Sequence, residues 1–150
     1  MIFVDTNVLL YSHDRRDFEK ADRSQSWLRE LARRGMGTIN LQVLNEFTEV
    51  LLRRKWFETP ERVFAIVADF AALGDGPLTK GETYGARHLH LRYGYSWRDC
   101  LLLASAVELG CTHFLSEDMQ DGQRIEDGGG RNLTILSPFA HSPEQFFSSP

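Results

Sequence analysis

Apolar residues fill positions 2–4, polar residues interrupt at Asp5-Thr6-Asn7, and apolar residues resume at Val8-Leu9-Leu10. A short apolar run stopped in this way reads as a buried strand handing over to a helix, with a carboxylate at the junction. Beyond a polar connection at residues 13–17 the pattern becomes helical. Phe18 to Arg34 carries a stripe of Ala21, Leu28, Leu31 and Ala32, with two arginines in its last turn and Gly35 as a stop. Leu44, Phe47, Thr48, Leu51 and Leu52 recur at helical spacing within Leu41 to Lys55. Thr59 and Pro60 supply a cap and a first helical residue for a helix faced by Val63, Ile66, Val67 and Phe70. Gly74-Asp75-Gly76 breaks that helix, and another spans Glu82 to Tyr93. Ser96-Trp97-Arg98-Asp99 matches the capping-box pattern ahead of an apolar helix that runs to Leu109 and stops at Gly110.

Between these helices lie short strand candidates at residues 37–40, 77–79, 112–116 and 133–136. With the opening strand they make about five. Short strands separated by helices indicate an α/β domain with a mainly parallel sheet between helical layers. The tail from Ser137 is rich in Ser and Pro and is expected to hold little regular structure.

At 150 residues the chain is most simply one domain with a proper core. No apolar run approaches the ~20 residues of a membrane-spanning helix, and Asp5 interrupts the only candidate for a secretory apolar region. A cytoplasmic protein is expected. Cys100 and Cys111 are too few for a disulfide framework or a metal site of their own. The net charge of −4 does not advertise a nucleic-acid partner. If four carboxylates are gathered at a metal site, however, the rest of the chain is neutral, and bound divalent ions shift the local field positive.

In open α/β sheets ligands bind beyond the carboxyl ends of the strands. Asp5 follows the first strand, Glu46 lies in the helix after the second, Asp99 opens the apolar helix, and Asp118 follows the strand ending at Ser116. Each has an ordinary explanation. Asp5 could cap a helix, Glu46 could sit on a solvated face, Asp99 could complete a capping box with Ser96, and Asp118 could be a loop residue. As a set at strand ends they say more than singly. Unneutralised carboxylates raise one another's pKa values, and Mg²⁺ or Mn²⁺ removes that conflict because hard cations prefer oxygen ligands. The chemistry indicated is metal-assisted phosphodiester cleavage.

Ile2-Phe3-Val4-Asp5-Thr6-Asn7-Val8-Leu9, Asn45-Glu46, Trp97-Arg98-Asp99 and Leu115-Ser116-Glu117-Asp118 resemble the PIN-domain ribonucleases, most closely the VapC toxins of toxin–antitoxin pairs. The resemblance covers residues 1–137 and leaves 138–150 as a short tail. It implies a PIN-like α/β/α sandwich, Mg²⁺- or Mn²⁺-dependent endoribonuclease activity, an RNA substrate, a cognate VapB-type antitoxin and a homodimer. By motif, Asp5, Glu46, Asp99 and Asp118 become catalytic residues and metal ligands. Thr6 or Asn7 would support Asp5, and Ser116 takes the hydroxyl position before the fourth acid. In the last acidic loop Glu117 and Asp121 compete with Asp118, which fits Ser-x-Asp best; Asp121 then supports. The alternative is a non-catalytic PIN-like module that binds RNA or protein.

Arg98, beside Asp99, is the better candidate for substrate binding. Arg15-Arg16 and Arg53-Arg54-Lys55 could touch RNA phosphates or be solvated charges near helix ends. His88 and His90 do not share a helix face and do not suggest zinc. Phe64, Phe70 and Phe114 read as core. An aspartyl-phosphate phosphatase would want an acid two residues after Asp5, where this chain has Asn7.

Overall fold

The computed structural model describes all residues from 1 to 150. The chain runs β1 (Ile2–Val4), α1 (Thr6–Tyr11), α2 (Phe18–Arg34), β2 (Gly37–Thr38), α3 (Leu41–Arg54), α4 (Pro60–Phe70) and a 3₁₀ turn (Ala71–Leu73). It continues through α5 (Lys80–Tyr93), α6 (Trp97–Glu108), β3 (His113–Leu115), β4 (Arg124–Glu126), β5 (Asn132–Leu136) and α7 (Pro143–Ser148). The five strands form one sheet in the order β2-β1-β3-β5-β4, parallel except for β4 on the edge.

This order positions the site. The chain leaves β1 outward to β2, then returns past β1 to β3. Right-handed crossovers in opposite directions put their helices on opposite faces, so α2 covers one face and α6 the other. The carboxyl ends of β1 and β3 therefore flank the switch point where crossovers diverge and a crevice opens. The register pairs Phe3 with Phe114, whose rings stack at 5.5 Å, while His113 meets Phe146 of α7 edge-on. Alternation along β3 thus feeds both layers.

Helix ends follow local chemistry. Asp17 accepts from Lys20 N–H to start α2, and Gly35 closes it in the left-handed conformation. Asn40 caps α3 through its Oδ1, while its Nδ2 donates to Ser105 Oγ of α6 at 2.9 Å. That bond fixes the start of α3 against α6 and so sets Glu46 opposite Asp99. Gly74 lies so close to the end of β2 that a Cβ there would meet the Ile39 carbonyl oxygen at 2.3 Å. No helix is long and apolar enough to cross a membrane.

The structure departs from the sequence expectations in several places. The fifth strand is β4, not residues 77–79. Thr79 instead caps α5, its N–H donating to the buried carboxylate of Glu82. On α2 the inner face is Ala21, Ser24, Trp27 and Leu31, and Ala32 is exposed. Phe64 is about half exposed rather than core. The tail carries α7, capped by Ser142 with a reciprocal contact from Gln145. Trp27 explains its position. Its indole N–H donates to the carbonyls of Pro138 and His141 at 3.1 and 3.0 Å, and its ring packs on Phe146 and Phe147.

Candidate active site

Asp5 is fully buried at the end of β1. Its Oδ1 accepts from the Thr6 backbone N–H at 2.7 Å and from Arg98 Nη2 at 3.2 Å. Its Oδ2 accepts from Ser116 Oγ at 2.7 Å and from Asn7 Nδ2 at 3.3 Å. Asp5 therefore caps α1 and faces a cation at once. Burial lifts its carboxyl from 3.8 to about 6, although the Arg98 charge and the Ser116 hydroxyl pull the other way.

The other acids arrive from different elements. Glu46, one turn into α3, accepts from Arg98 Nε at 2.9 Å, from the Thr6 hydroxyl at 2.9 Å and from Gln42 Nε2 at 3.0 Å. Thr6 thus serves Asp5 with its backbone and Glu46 with its side chain. Asp99 sits in the first turn of α6. Ser96 Oγ accepts from Asp99 N–H at 3.2 Å, but the Asp99 carboxylate does not return to Ser96. It turns to Arg98 Nη1 at 3.0 Å, so the expected capping box is only half formed. Asp118 is exposed beyond β3 on the same cavity as Glu46, its N–H donating to Ser116 Oγ at 3.2 Å.

Arg98 is the hub. One guanidinium contacts Asp5, Glu46 and Asp99, drawn from β1, α3 and α6. Against four carboxylates it leaves the pocket strongly negative. Asp121 and Glu117 do not join. Asp121 accepts from Ser137 N–H at 2.8 Å and pairs with His141 at 2.7 Å, tying down the C-terminal segment. Glu117 pairs with Lys20 of α2.

The pocket opens into a cavity of about 670 Å³. Glu46, Val50 and Arg54 line it at four-residue intervals along one face of α3, which carries Arg54 roughly 12 Å from Glu46 at about 1.5 Å per residue. Arg16 lines it too, held by Asp14 through two contacts of 2.9 Å, and both guanidiniums sit over the Trp56 ring at 5.4 and 5.2 Å. Of the two basic runs, Arg16 and Arg54 reach the cavity while Arg15, Arg53 and Lys55 do not. Gln42 went unnoticed in the sequence, though its spacing of four from Glu46 on one helix was the available signal.

The donor set is all oxygen, which suits a hard divalent cation. The Oδ1 of Asn7, beside Asp5, is buried without a hydrogen-bond partner and retains lone pairs for a ligand. As folded, no three acids are gathered closely enough to share one ion. The guanidinium of Arg98 stands among Asp5, Glu46 and Asp99 instead. The donors fit the ion, and their present arrangement fits Arg98.

The sequence profile of the PIN domain matches residues 2–121. The chain belongs to the PIN-domain family. Members of this family are generally ribonucleases. No curated protein sequence matches the chain. Solved structures share the fold of this PIN domain at low identity. VapBC2 from Rickettsia felis, bound to a DNA fragment from its promoter, superposes with a TM-score of 0.63 at 16% identity, covering 91% of this chain and 98% of the other. The sarcin-ricin loop cleaving toxin VapC20 from Mycobacterium tuberculosis gives 0.58 at 21% identity, over 79% and 92%. A toxin–antitoxin complex from Klebsiella pneumoniae gives 0.62 at 16% identity, over 92% and 98%.

Proposed function

We propose that this PIN domain is a metal-dependent endoribonuclease that hydrolyses RNA phosphodiester bonds and acts as the toxin of a VapBC-type pair. The observation that carries the reading is the meeting of Asp5, Glu46 and Asp99 on one guanidinium at the switch point of the sheet, with Asp118 on the same cavity. Asp5 and Asp99 are the metal ligands, and Glu46 and Asp118 complete the acidic pocket. Ser116 and Asn7 hold the Asp5 carboxylate in orientation, as Gln42 and Thr6 hold Glu46. A bound Mg²⁺ or Mn²⁺ supplies an activated water and a counter-charge for the phosphate. Water adds its oxygen to phosphorus, the P–O bond to the leaving nucleotide breaks, the proton shed by the water is balanced by one taken up at the leaving oxygen, and no covalent protein intermediate is needed. Arg98 donates to the scissile phosphate, and Arg16 and Arg54 take phosphates further along the strand.

The toxin assignment rests on the fold shared with toxin–antitoxin proteins, and a small antitoxin encoded beside the gene would support it. The catalytic reading is tested by incubating purified protein and RNA with Mg²⁺ or Mn²⁺, against EDTA and against Asp5→Asn and Asp99→Asn. Cleavage should vanish with EDTA and fall at least about a hundredfold in each variant, since several kcal/mol of transition-state stabilisation are at stake. Cleavage that survives EDTA, or full activity in both folded variants, would sink the mechanism. A folded protein that binds no divalent ion leaves the non-catalytic binding module as the better reading.

A further inference from the structure

We infer that Arg98 is an exchangeable internal counter-ion: the metal-free pocket is closed by its guanidinium, and a divalent cation binds by displacing it from Asp5 and Asp99. The inference rests on the metal-dependent reading above and adds what this chain's own residue does to the ion. Three observations carry it. Arg98 holds Asp5 Oδ1, Glu46 Oε2 and Asp99 Oδ1 at 3.2, 2.9 and 3.0 Å, which are oxygens the ion would need. The acids as folded offer no three-ligand cluster. The Arg98 side chain is about two-fifths exposed, so it has a route out of the pocket toward solvent, whereas Asp5 has none.

A guanidinium and a small divalent ion make opposite demands on carboxylates. The guanidinium is a flat fork that accepts partners around its edge. A divalent ion draws oxygens inward to about 2.0–2.1 Å for Mg²⁺. Both cannot be satisfied on the same oxygens, and their like charges repel. Binding of the ion therefore includes the loss of the Arg98 pairs to its ligands, and its observed affinity is lower than the acids alone would give. Asp5 keeps the Ser116 and Asn7 bonds on Oδ2 during the exchange, so the buried carboxylate stays oriented while its Oδ1 changes partner. The exchange also moves Arg98 from holding acids to facing the phosphate.

The test is Mn²⁺ binding by calorimetry to the full chain, with Arg98→Met and Arg98→Lys alongside, and thermal melts with EDTA and with Mn²⁺. Arg98→Met should bind Mn²⁺ about tenfold tighter or more, the factor that one forgone charged hydrogen bond corresponds to. It should melt lower than the native protein in EDTA and gain more from Mn²⁺. Lysine keeps the charge but cannot span three acids, and its affinity should fall between the two. An unchanged or weaker affinity in both folded variants would overturn the inference, because Arg98 would then organise the acids for the ion. In the native protein, the Arg98 Nη–H resonance, which reports the Asp5 and Asp99 contacts and is assigned by its absence in Arg98→Lys, should move to the position of a solvated arginine on Mg²⁺ saturation. A resonance that stays put while Mg²⁺ binds contradicts the exchange without relying on any variant. Absence of Mn²⁺ binding in all three proteins would instead remove the metal-dependent reading itself.

Discussion

Asp5 and Asp121 are both aspartates near the switch-point edge of the sheet, and their surroundings give them opposite work. Asp5 is fully buried, accepts four donors and shares Arg98 with two acids from distant elements. Asp121 sits in the loop after β3, where it accepts from Ser137 N–H and pairs with the half-exposed His141. One shares a guanidinium with two other acids; the other clasps the chain's last segment. Asp118 lies three residues from Asp121 yet lines the same cavity as Glu46 and Arg98. What an acid does is set by what its oxygens face, and neighbours in sequence can face different ways.

The sharpest way to break this contrast is to neutralise both loop acids. Asp118→Asn should reduce RNA cleavage about tenfold or more, because it removes a carboxylate from the proposed metal pocket. Asp121→Asn should leave cleavage unchanged and alter stability by no more than about 1 kcal/mol, as for other exposed ion pairs. Parallel rate assays and denaturant unfolding of the two variants check this. Equal losses of activity would erase the distinction. The clasp side has its own anchor. Trp27→Ala should cost about 3–5 kcal/mol in unfolding experiments, with the activity of the folded fraction retained.

A smaller effect comes from His13, packed among the rings of Phe47, Phe57 and Phe70. Burial lowers its pKa from 6.5, against a contact with the Leu9 carbonyl that raises it. Folding therefore disfavours the imidazolium. The stability this contributes is whole above the unfolded value of 6.5 and is lost as pH falls through the depressed folded value. His113 is depressed by burial in the same direction. Urea unfolding at about pH 7.5 and about pH 5.5 should show a less favourable acid shift in the native protein than in His13→Phe, the buried Asp5 carboxyl, raised to about 6, pulling the opposite way in both.

Much of this was legible in the sequence because it is local. The opening strand ends where three polar residues follow three apolar ones, and Gly35 and Gly94 stop their helices in the left-handed conformation. Asp5, Asp99 and Asp118 could be named because each follows a strand or opens a helix, and Glu46 because it lies early in the helix after the second strand. The remainder depended on contacts between distant segments. β4 was hidden because only Ile125 of its three residues turns inward. Residues 77–79 looked like a strand until Thr79 was needed to cap α5. α7 exists because Trp27, over a hundred residues earlier, gives its phenylalanines a surface. No local pattern announces that Arg98 reaches three acids from three elements, or that Arg54 points along the same groove as Glu46.

The central claim is that the acids around Arg98, and not the clasp at Asp121, form the cation site. Anomalous diffraction from crystals saturated with Mn²⁺ tests it directly. The account predicts a peak bounded by the carboxylates of Asp5 and Asp99, with Arg98 withdrawn from both. A peak at Asp121 and His141, or none at the Asp5 pocket under saturating Mn²⁺, would contradict it.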